Sequence, residues 1–436
     1  MMTPMKRSTI LSCVLCIPFA ACGDTSAGAA GADILLTPAT EDAYSVGEYS
    51  GEDWENFTRV AKVAFDASGN LHIFDPEAMR VVVVDPEGNF LREIGGEGEG
   101  PGELSHPFGF EILRDGRIVI YDFPRTWQLY DAEGGFAEEV TFDMFAGAPG
   151  SLLMARPDGR LVSRGGFRMA RPGQESEEEE DPHLRDIELF ALGDSPKEVL
   201  YRAWNLEPTP LDEELTTENE RGQTEMSVSM NRMRAFEPGL HLAMLSDGRL
   251  AVVDSMGYRV KLIGLDGSVV GTVERPIAPE PVTEAVRAAE RERRREGLQG
   301  LTEVRMEGFG VVEGLGEQMR ANQLAQVDNM VFTEVIPAIA GLAVDPADLI
   351  WVERTGPGGG GPGPTDILTA DGAYVGTLPA DGLRIPDAFG PDGLMAYIET
   401  GEFDVPIVRV IRLVTVDIPG ESDGTWGRLR SAPGTG

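Results

Sequence analysis

The sequence predicts an all-β fold, a six-bladed β-propeller carrying a helical insertion between blades 4 and 5. Three observations predict it. Residues 60–65, 71–75, 80–84 and 90–94 are apolar or β-branched runs of strand length, separated by turn residues such as Asp66-Ala-Ser-Gly69 and Asp85-Pro-Glu-Gly88. The same four-run unit returns down the chain at spacings of roughly 45 residues once insertions are set aside, a period that belongs to propeller blades. Finally, Gly69, Gly116, Gly248 and Gly393 are each followed six residues later by an acid, Asp75, Asp122, Asp254 and Glu399. One four-stranded sheet cannot bury both of its faces, so a chain of such units must stack them.

Taken in order, residues 1–21 read as a signal segment. Lys6 and Arg7 precede a short apolar stretch, residues 10–19, which falls well below the roughly 20 residues a membrane-spanning helix needs. Phe19-Ala-Ala-Cys22 resembles the bacterial lipobox, which implies cleavage before Cys22 and acylation of its thiol; Gly23 in place of Asp implies export toward an outer membrane. All three cysteines, Cys13, Cys16 and Cys22, lie here, which leaves the folded domain without a disulfide or a cysteine-built zinc site. Residues 22–42 are expected to be a flexible tether, with residues 43–49 a lone strand preceding the first unit.

Units follow at 60–94, 108–142, 151–202, 240–274, 339–378 and 385–416, the whole propeller spanning 43–416. The third unit breaks the acid rule with Gly165, while Glu353 takes the place in the fifth. The sixth shows only three strands, and the lone N-terminal strand is expected to supply its outer one, closing the ring without a free edge. Val81 to Val84 is continuously apolar because both blade faces meet neighbours. Three segments interrupt the pattern: 168–185, which contains the acidic run ESEEEED; 206–235, a polar connector with an extra strand near 226–230; and 281–334. In the last, Thr283 is placed to cap a helix ending at Gly297, its Glu and Arg residues paired at helical spacing on a solvated surface, with a second helix over 316–330. Residues 356–363 read as a flexible loop and 417–436 as a polar tail.

Phe90-Leu-Arg-Glu-Ile-Gly-Gly-Glu-Gly-Glu-Gly-Pro-Gly-Glu-Leu104, preceded by Gly69-Asn-Leu-His-Ile-Phe-Asp75, resembles the NHL-like six-bladed propeller family, in particular its bacterial envelope lipoproteins. The resemblance runs over 43–416. It implies the six-bladed ring and carries over no catalytic residue. Six-bladed calcium-dependent lactonases and esterases hold a channel metal through scattered Glu, Asn and Asp; Glu111 and Asp387, on expected inner strands, are the two residues placed to imitate such ligands.

The chain's own chemistry is sparse. No HExxH, nucleophile elbow or two-histidine metal spacing is present among His72, His106, His183 and His241. Residues 95–103 are glycine-rich, yet they join strand to strand and carry Glu97, Glu99 and Glu103 without a lysine, which excludes a phosphate cradle. The recurrent acids are expected to be scaffold, accepting backbone N–H groups of the loop that follows each. Trp127, Trp204 and Trp351 are expected to pack between blades. A net charge of −36 repels nucleic acid and anionic lipid headgroups, which excludes nucleic acid as a partner and leaves the membrane as one through the N-terminal lipid anchor. The expected function is a non-enzymatic, lipid-anchored propeller at the periplasmic face of the outer membrane or the cell surface. It binds a protein or a small molecule at one end of its channel, with Glu103, His106, Glu111 and Asp387 as candidate ligand-binding residues and no cofactor. A calcium-dependent hydrolase, and an assembly scaffold using residues 281–334, are the alternatives.

Overall fold

In the computed structural model, which describes residues 32–48, 51–143, 145, 147–166, 181–193, 197–209, 215–218, 224–228, 232–298, 305–306, 310–311 and 315–419, six four-stranded antiparallel sheets make the ring. Blade 1 is Lys62–Phe65, Leu71–Asp75, Arg80–Val84 and Phe90–Gly95. Blade 2 is Pro107–Ile112, Ile118–Asp122, Thr126–Tyr130 and Phe136–Thr141; blade 3 is Leu153–Ala155, Leu161–Arg164, Leu184–Phe190 and Glu198–Trp204. Blade 4 is His241–Met244, Leu250–Val253, Arg259–Ile263 and Val269–Glu274, and blade 5 is Ile339–Val344, Ile350–Thr355, Pro362–Leu368 and Tyr374–Leu378.

Blade 6 pairs Ala388–Phe389, Leu394–Thr400 and Pro406–Asp417, and its outer strand comes from the other end of the chain: Thr37–Val46 pairs antiparallel with Pro406–Asp417, Thr37 opposite Asp417 and Val46 opposite Val408. The strand therefore begins inside the stretch expected to be tether (22–42), and its end at Val46 is earlier than expected. The reason is positional. An outermost strand exposes most of its residues, so Thr37 to Asp42 can be polar and still pair. Just before it, Leu36 N–H donates to Thr377 O (2.8 Å) and Thr377 N–H to Ile34 O (2.7 Å), and Asp33 bridges Arg354 (2.6 Å) and Arg275 (3.0 Å). Residues 33–46 thus clasp blade 5 before closing blade 6.

Among the described residues the core of the ring is split into six clusters, one at each blade interface, and a seventh, of Ala235, Val327 and Met330, lies within the insertion and its connector. Phe74, Val81 and Val83 of blade 1 pack with Phe110 and Ile118 of blade 2, whereas Val82 and Val84 pack with Leu394 and Val408 of blade 6. The apolar run at 81–84 is thus an alternating strand with two cores. Trp127 sits between blades 2 and 3 and Trp351 between blades 5 and 6. Trp204 instead lies at the end of an outer strand, its N–H bonded to Asp254 of blade 4 (3.0 Å).

First and second strands are joined by tight turns. Asp66 Oδ1 accepts the N–H groups of Ser68 and Asn70 (both 2.9 Å), and Gly69 takes φ +85°, which glycine adopts without strain. All long connections leave from the opposite face, hereafter the linker face, the turn side being the hairpin face. The linker-face insertion between blades 4 and 5 has two helices, Glu284–Gly297 (α1) and Leu315–Asp328 (α2). Thr283 caps α1, its hydroxyl accepting from Val286 N (3.3 Å). The helix is not the uniformly solvated one expected: Glu290 is buried and held by Arg293 and Arg294, and Arg287 and Arg291 lie over the Phe332 ring (5.2 and 4.9 Å). Its neighbouring connector pairs with it, Arg234–Ala235 running parallel to Val331–Phe332. The extra strand in that connector is Thr224–Val228, paired with Leu215–Glu218. Residues 356–363 are tied down rather than free, for Gly358 N–H donates to Glu280 (2.9 Å). The signal segment, most of the tether, most of the acidic run in 168–185, and the tail from residue 420 lie outside the described residues.

Candidate functional site

The first strands of all six blades line one cavity of about 490 Å³ at the hairpin end of the channel. Its walls are largely apolar, from Ala64, Met154, Ala243, Ala343 and Phe389 among others, with Glu111, Arg114, Ser246, Asp345, Asp348 and Asp387 as the polar groups. Small residues recur here because six strand edges converge on one axis.

Lys62 and Glu111 are the only formally charged residues in the six first strands, and they find each other. Lys62 Nζ donates to Glu111 Oε2 (2.9 Å), to Phe110 O (3.0 Å) and, across blade 2, to Leu153 O of blade 3 (2.9 Å). The ammonium thus has three oxygen partners from two blades, just below the Glu111 lining. Glu111 Oε1 accepts from Ile112 N (2.9 Å), so neither carboxylate oxygen is idle. Higher up, Ser246 N–H and hydroxyl both bond Asp348 (2.7 and 2.6 Å), and Arg114 of blade 2 reaches Ser246 O of blade 4 (3.4 Å). Side chains from blades 1, 2, 4 and 5 therefore hold the cavity wall in place. Asp387 accepts from Ile398 N (2.8 Å) and faces Arg384 Nη1 at 3.7 Å.

The four residues singled out from sequence do not form one site. Glu111 and Asp387 line the cavity. Glu103 and His106 lie at the linker face, since both precede the first strand of blade 2. Glu103 folds back on its own loop, accepting from Gly100 N (2.8 Å), and the exposed His106 has its backbone N–H on Asp122 (2.5 Å). Cys22 lies outside the described residues. Sequence reasoning missed Lys62, although a lone lysine in an otherwise apolar inner strand was a readable signal; Arg114 and the Ser246–Asp348 pair carried none, being ordinary turn residues.

Asp75, Asp122 and Asp254 accept backbone N–H groups, with one difference from expectation, whereas Glu399 pairs with Arg409 (3.1 Å). Asp75 accepts from Thr58 N (2.9 Å) and Arg59 N (3.1 Å), and Asp122 from Ser105 N (3.1 Å) and His106 N: these N–H groups belong to the linker entering the blade, and only Ala78 N (3.3 Å) comes from the loop that follows. Asp254 holds Lys261 Nζ (2.8 Å). Glu353 is pushed up by burial, offset in part by the Gly363 N–H. His72 is buried between blades 1 and 2, its ring stacked on Phe110 (6.3 Å). Among the described residues no three His, Cys, Asp or Glu side chains gather as a metal site.

Residues 53–162 match a protein family described as a 6-bladed beta-propeller. No curated protein matches the chain. Among solved structures, a candidate exported protein of Bacteroides fragilis aligns at 12% identity over 88% of this chain and 97% of its own, with a TM-score of 0.45. A gluconolactonase of Xanthomonas campestris aligns at 12% over 87% and 89% (TM-score 0.35), and virginiamycin B lyase of Staphylococcus aureus at 9% over 87% and 99% (TM-score 0.34). The chain is a six-bladed β-propeller, with the family's sequence pattern carried by residues 53–162.

Proposed function

We propose that this protein is a lipid-anchored, extracytoplasmic binding module that takes a small molecule into the hairpin-end cavity and performs no chemistry on it. The observation that carries the reading is the Lys62 ammonium. It already supplies Glu111 and two carbonyls with a cation, so the carboxylate best placed for a channel calcium is satisfied without one. What remains is a largely apolar hollow with a few fixed polar groups, the usual make-up of a ligand pocket. The anchoring half of the proposal rests on the leader and on Phe19-Ala-Ala-Cys22.

Three tests address it. A thermal-shift screen of small solutes is expected to give hits that Ala343→Trp, which fills the hollow, abolishes; a ligand that binds the native fold alone raises its melting temperature by linkage. Hits that survive the substitution would place the ligand elsewhere. Calcium titration by calorimetry together with a lactone and ester turnover screen addresses the hydrolase reading: stoichiometric calcium, with turnover lost in Glu111→Ala or Asp387→Ala, would replace the binding module with an enzyme. The mass of the mature N-terminal peptide addresses the anchor, and an unacylated Cys22 would remove it.

A further inference from the structure

Blade 3 is the one blade whose second strand ends without an acid at the repeat position: Gly165 stands where the others have Asp75, Asp122, Asp254, Glu353 and Glu399. Two arginines flank that gap. Arg164, at the end of the second strand of blade 3, donates through Nη1 to Leu240 O, and no bond to another described residue engages its Nε–Nη2 edge. Arg185, at the start of the third strand, is half-buried and fixed by three carbonyl bonds, two to Trp204 O (3.2 and 2.9 Å) and one to Pro238 O (3.1 Å). Neither is in an ion pair with a described residue. The equivalent arginine of blade 1 differs: Arg80 also bonds linker carbonyls, but Glu93 neutralises it (2.5 Å). The nearest acids are committed elsewhere, Asp254 to Lys261 and Trp204 N, and Glu237 to Arg234. The charges are close enough to feel each other: Arg185 is lowered by burial and by Arg164, against the opposing pull of Asp254 and Glu237, and His241 is pushed down to about 4 by burial and by both arginines. The imidazole is therefore neutral at pH 7 and adds hydrogen bonding without repelling either guanidinium further.

We propose that Arg164, Arg185 and His241, at the linker face between blades 3 and 4, form a binding site for an oxyanion, a carboxylate or phosphate group carried by a small solute. A chain of net charge −36 repels anions almost everywhere, so two arginines in no ion pair with a carboxylate among the described residues mark the place where one is admitted. The Nε–Nη2 edge of Arg164 is the fork that engages two oxygens at once, and Arg185, held rigid by its carbonyl bonds, supplies the second charge at no further ordering cost. The site is independent of the hairpin-end cavity.

The test uses the full chain in low-chloride buffer at pH 7, titrated calorimetrically with inorganic phosphate and, separately, with succinate. One site is expected for at least one of the two, weakened at least tenfold in Arg164→Gln and in Arg185→Gln; which anion binds more tightly identifies the source. Gly165→Asp puts back the acid of the other blades. A Cβ there meets nothing within 4 Å, and φ of +59° is a backbone that Asp and Asn tolerate best among side chains. Gly165→Asp is therefore expected to abolish binding while Gly165→Asn, equal in shape and neutral, retains it, which separates charge from misfolding. Absence of binding at 10 millimolar of either anion, or equal binding by the Asp and Asn variants, would overturn the proposal. So would binding that emerges only when Glu175 and Glu177 to Glu180 are changed to Gln, because the arginines would then serve the chain's own acidic run.

Discussion

Replacing Lys62 with Met measures how far the channel depends on its central ion pair. Lys62 and Glu111 are 25% and 15% exposed, which places the pair between two well-characterised limits. Exposed pairs contribute about 0–1 kcal/mol, and breaking a fully buried one costs about 3–5 kcal/mol. Lys62→Met keeps the length of the side chain and deletes the donor, leaving Phe110 O and Leu153 O without this partner and Glu111 with only the Ile112 N–H. We expect a loss of about 2 kcal/mol, most of it from the stranded carboxylate. Adding Glu111→Gln removes that charge and is expected to return about 1 kcal/mol, a coupling readable in a double-mutant cycle. The assay is urea unfolding of the four proteins, with the slope checked for constancy so that midpoint shifts report stability alone. A Lys62→Met protein as stable as wild type, or strict additivity of the two substitutions, would refute the account of the cavity floor.

Trp351→Ala removes a fully buried indole between blades 5 and 6 and is expected to cost about 3–5 kcal/mol by urea unfolding. Removal of residues 33–46 deletes the outer strand of blade 6 together with the Asp33 bridges; hydrogen exchange should rise first in Pro406–Asp417 and Tyr374–Leu378, and uniform protection across the ring would contradict the clasp. His241 has a folded-state value of about 4 against an unfolded value near 6.5, so between these the unfolded chain binds more protons and stability must fall as pH drops through that window. His241→Gln is expected to flatten that part of the urea-midpoint profile; an unchanged slope would show that His241 is not its source.

Repeat, strand and blade count were legible because the turns share one grammar, glycine fourth in the first turn of five blades and an acid within each such turn, and because the strands alternate deeply enough to serve two cores, as at residues 66–69 and 81–84. Thr37 to Asp42 was not legible, because an outer strand buries too little to need an apolar pattern, and its partner lies more than 350 residues away. The candidate site was half legible for a related reason. Glu111 and Asp387 could be placed on inner strands by counting from their turns, whereas Glu103 and His106 were grouped with them by sequence proximity alone, although a blade's first strand separates the two faces. Lys62 went unnoticed since its partners come from the next two blades, a relation that no local window contains.

The same asymmetry explains where this ring is free to vary. The hairpin face is built from tight turns in which an acidic side chain bonds nearby backbone, two and four residues on at Asp66, Asp85 and Asp131 and two residues on at Asp115, Asp158 and Asp247, and insertion there would break these bonds and the glycine conformation together. The linker face has no such lock; in blades 1 and 2 a single acid grips the backbone N–H groups of the entering connection, and connections lengthen on this face at 165–183, 205–240 and 275–338. A rigid hollow at one end and adaptable connections at the other follow from turn chemistry alone. The one gripping acid missing from the repeat position, at Gly165, falls beside Arg164 and Arg185, which bond linker carbonyls instead.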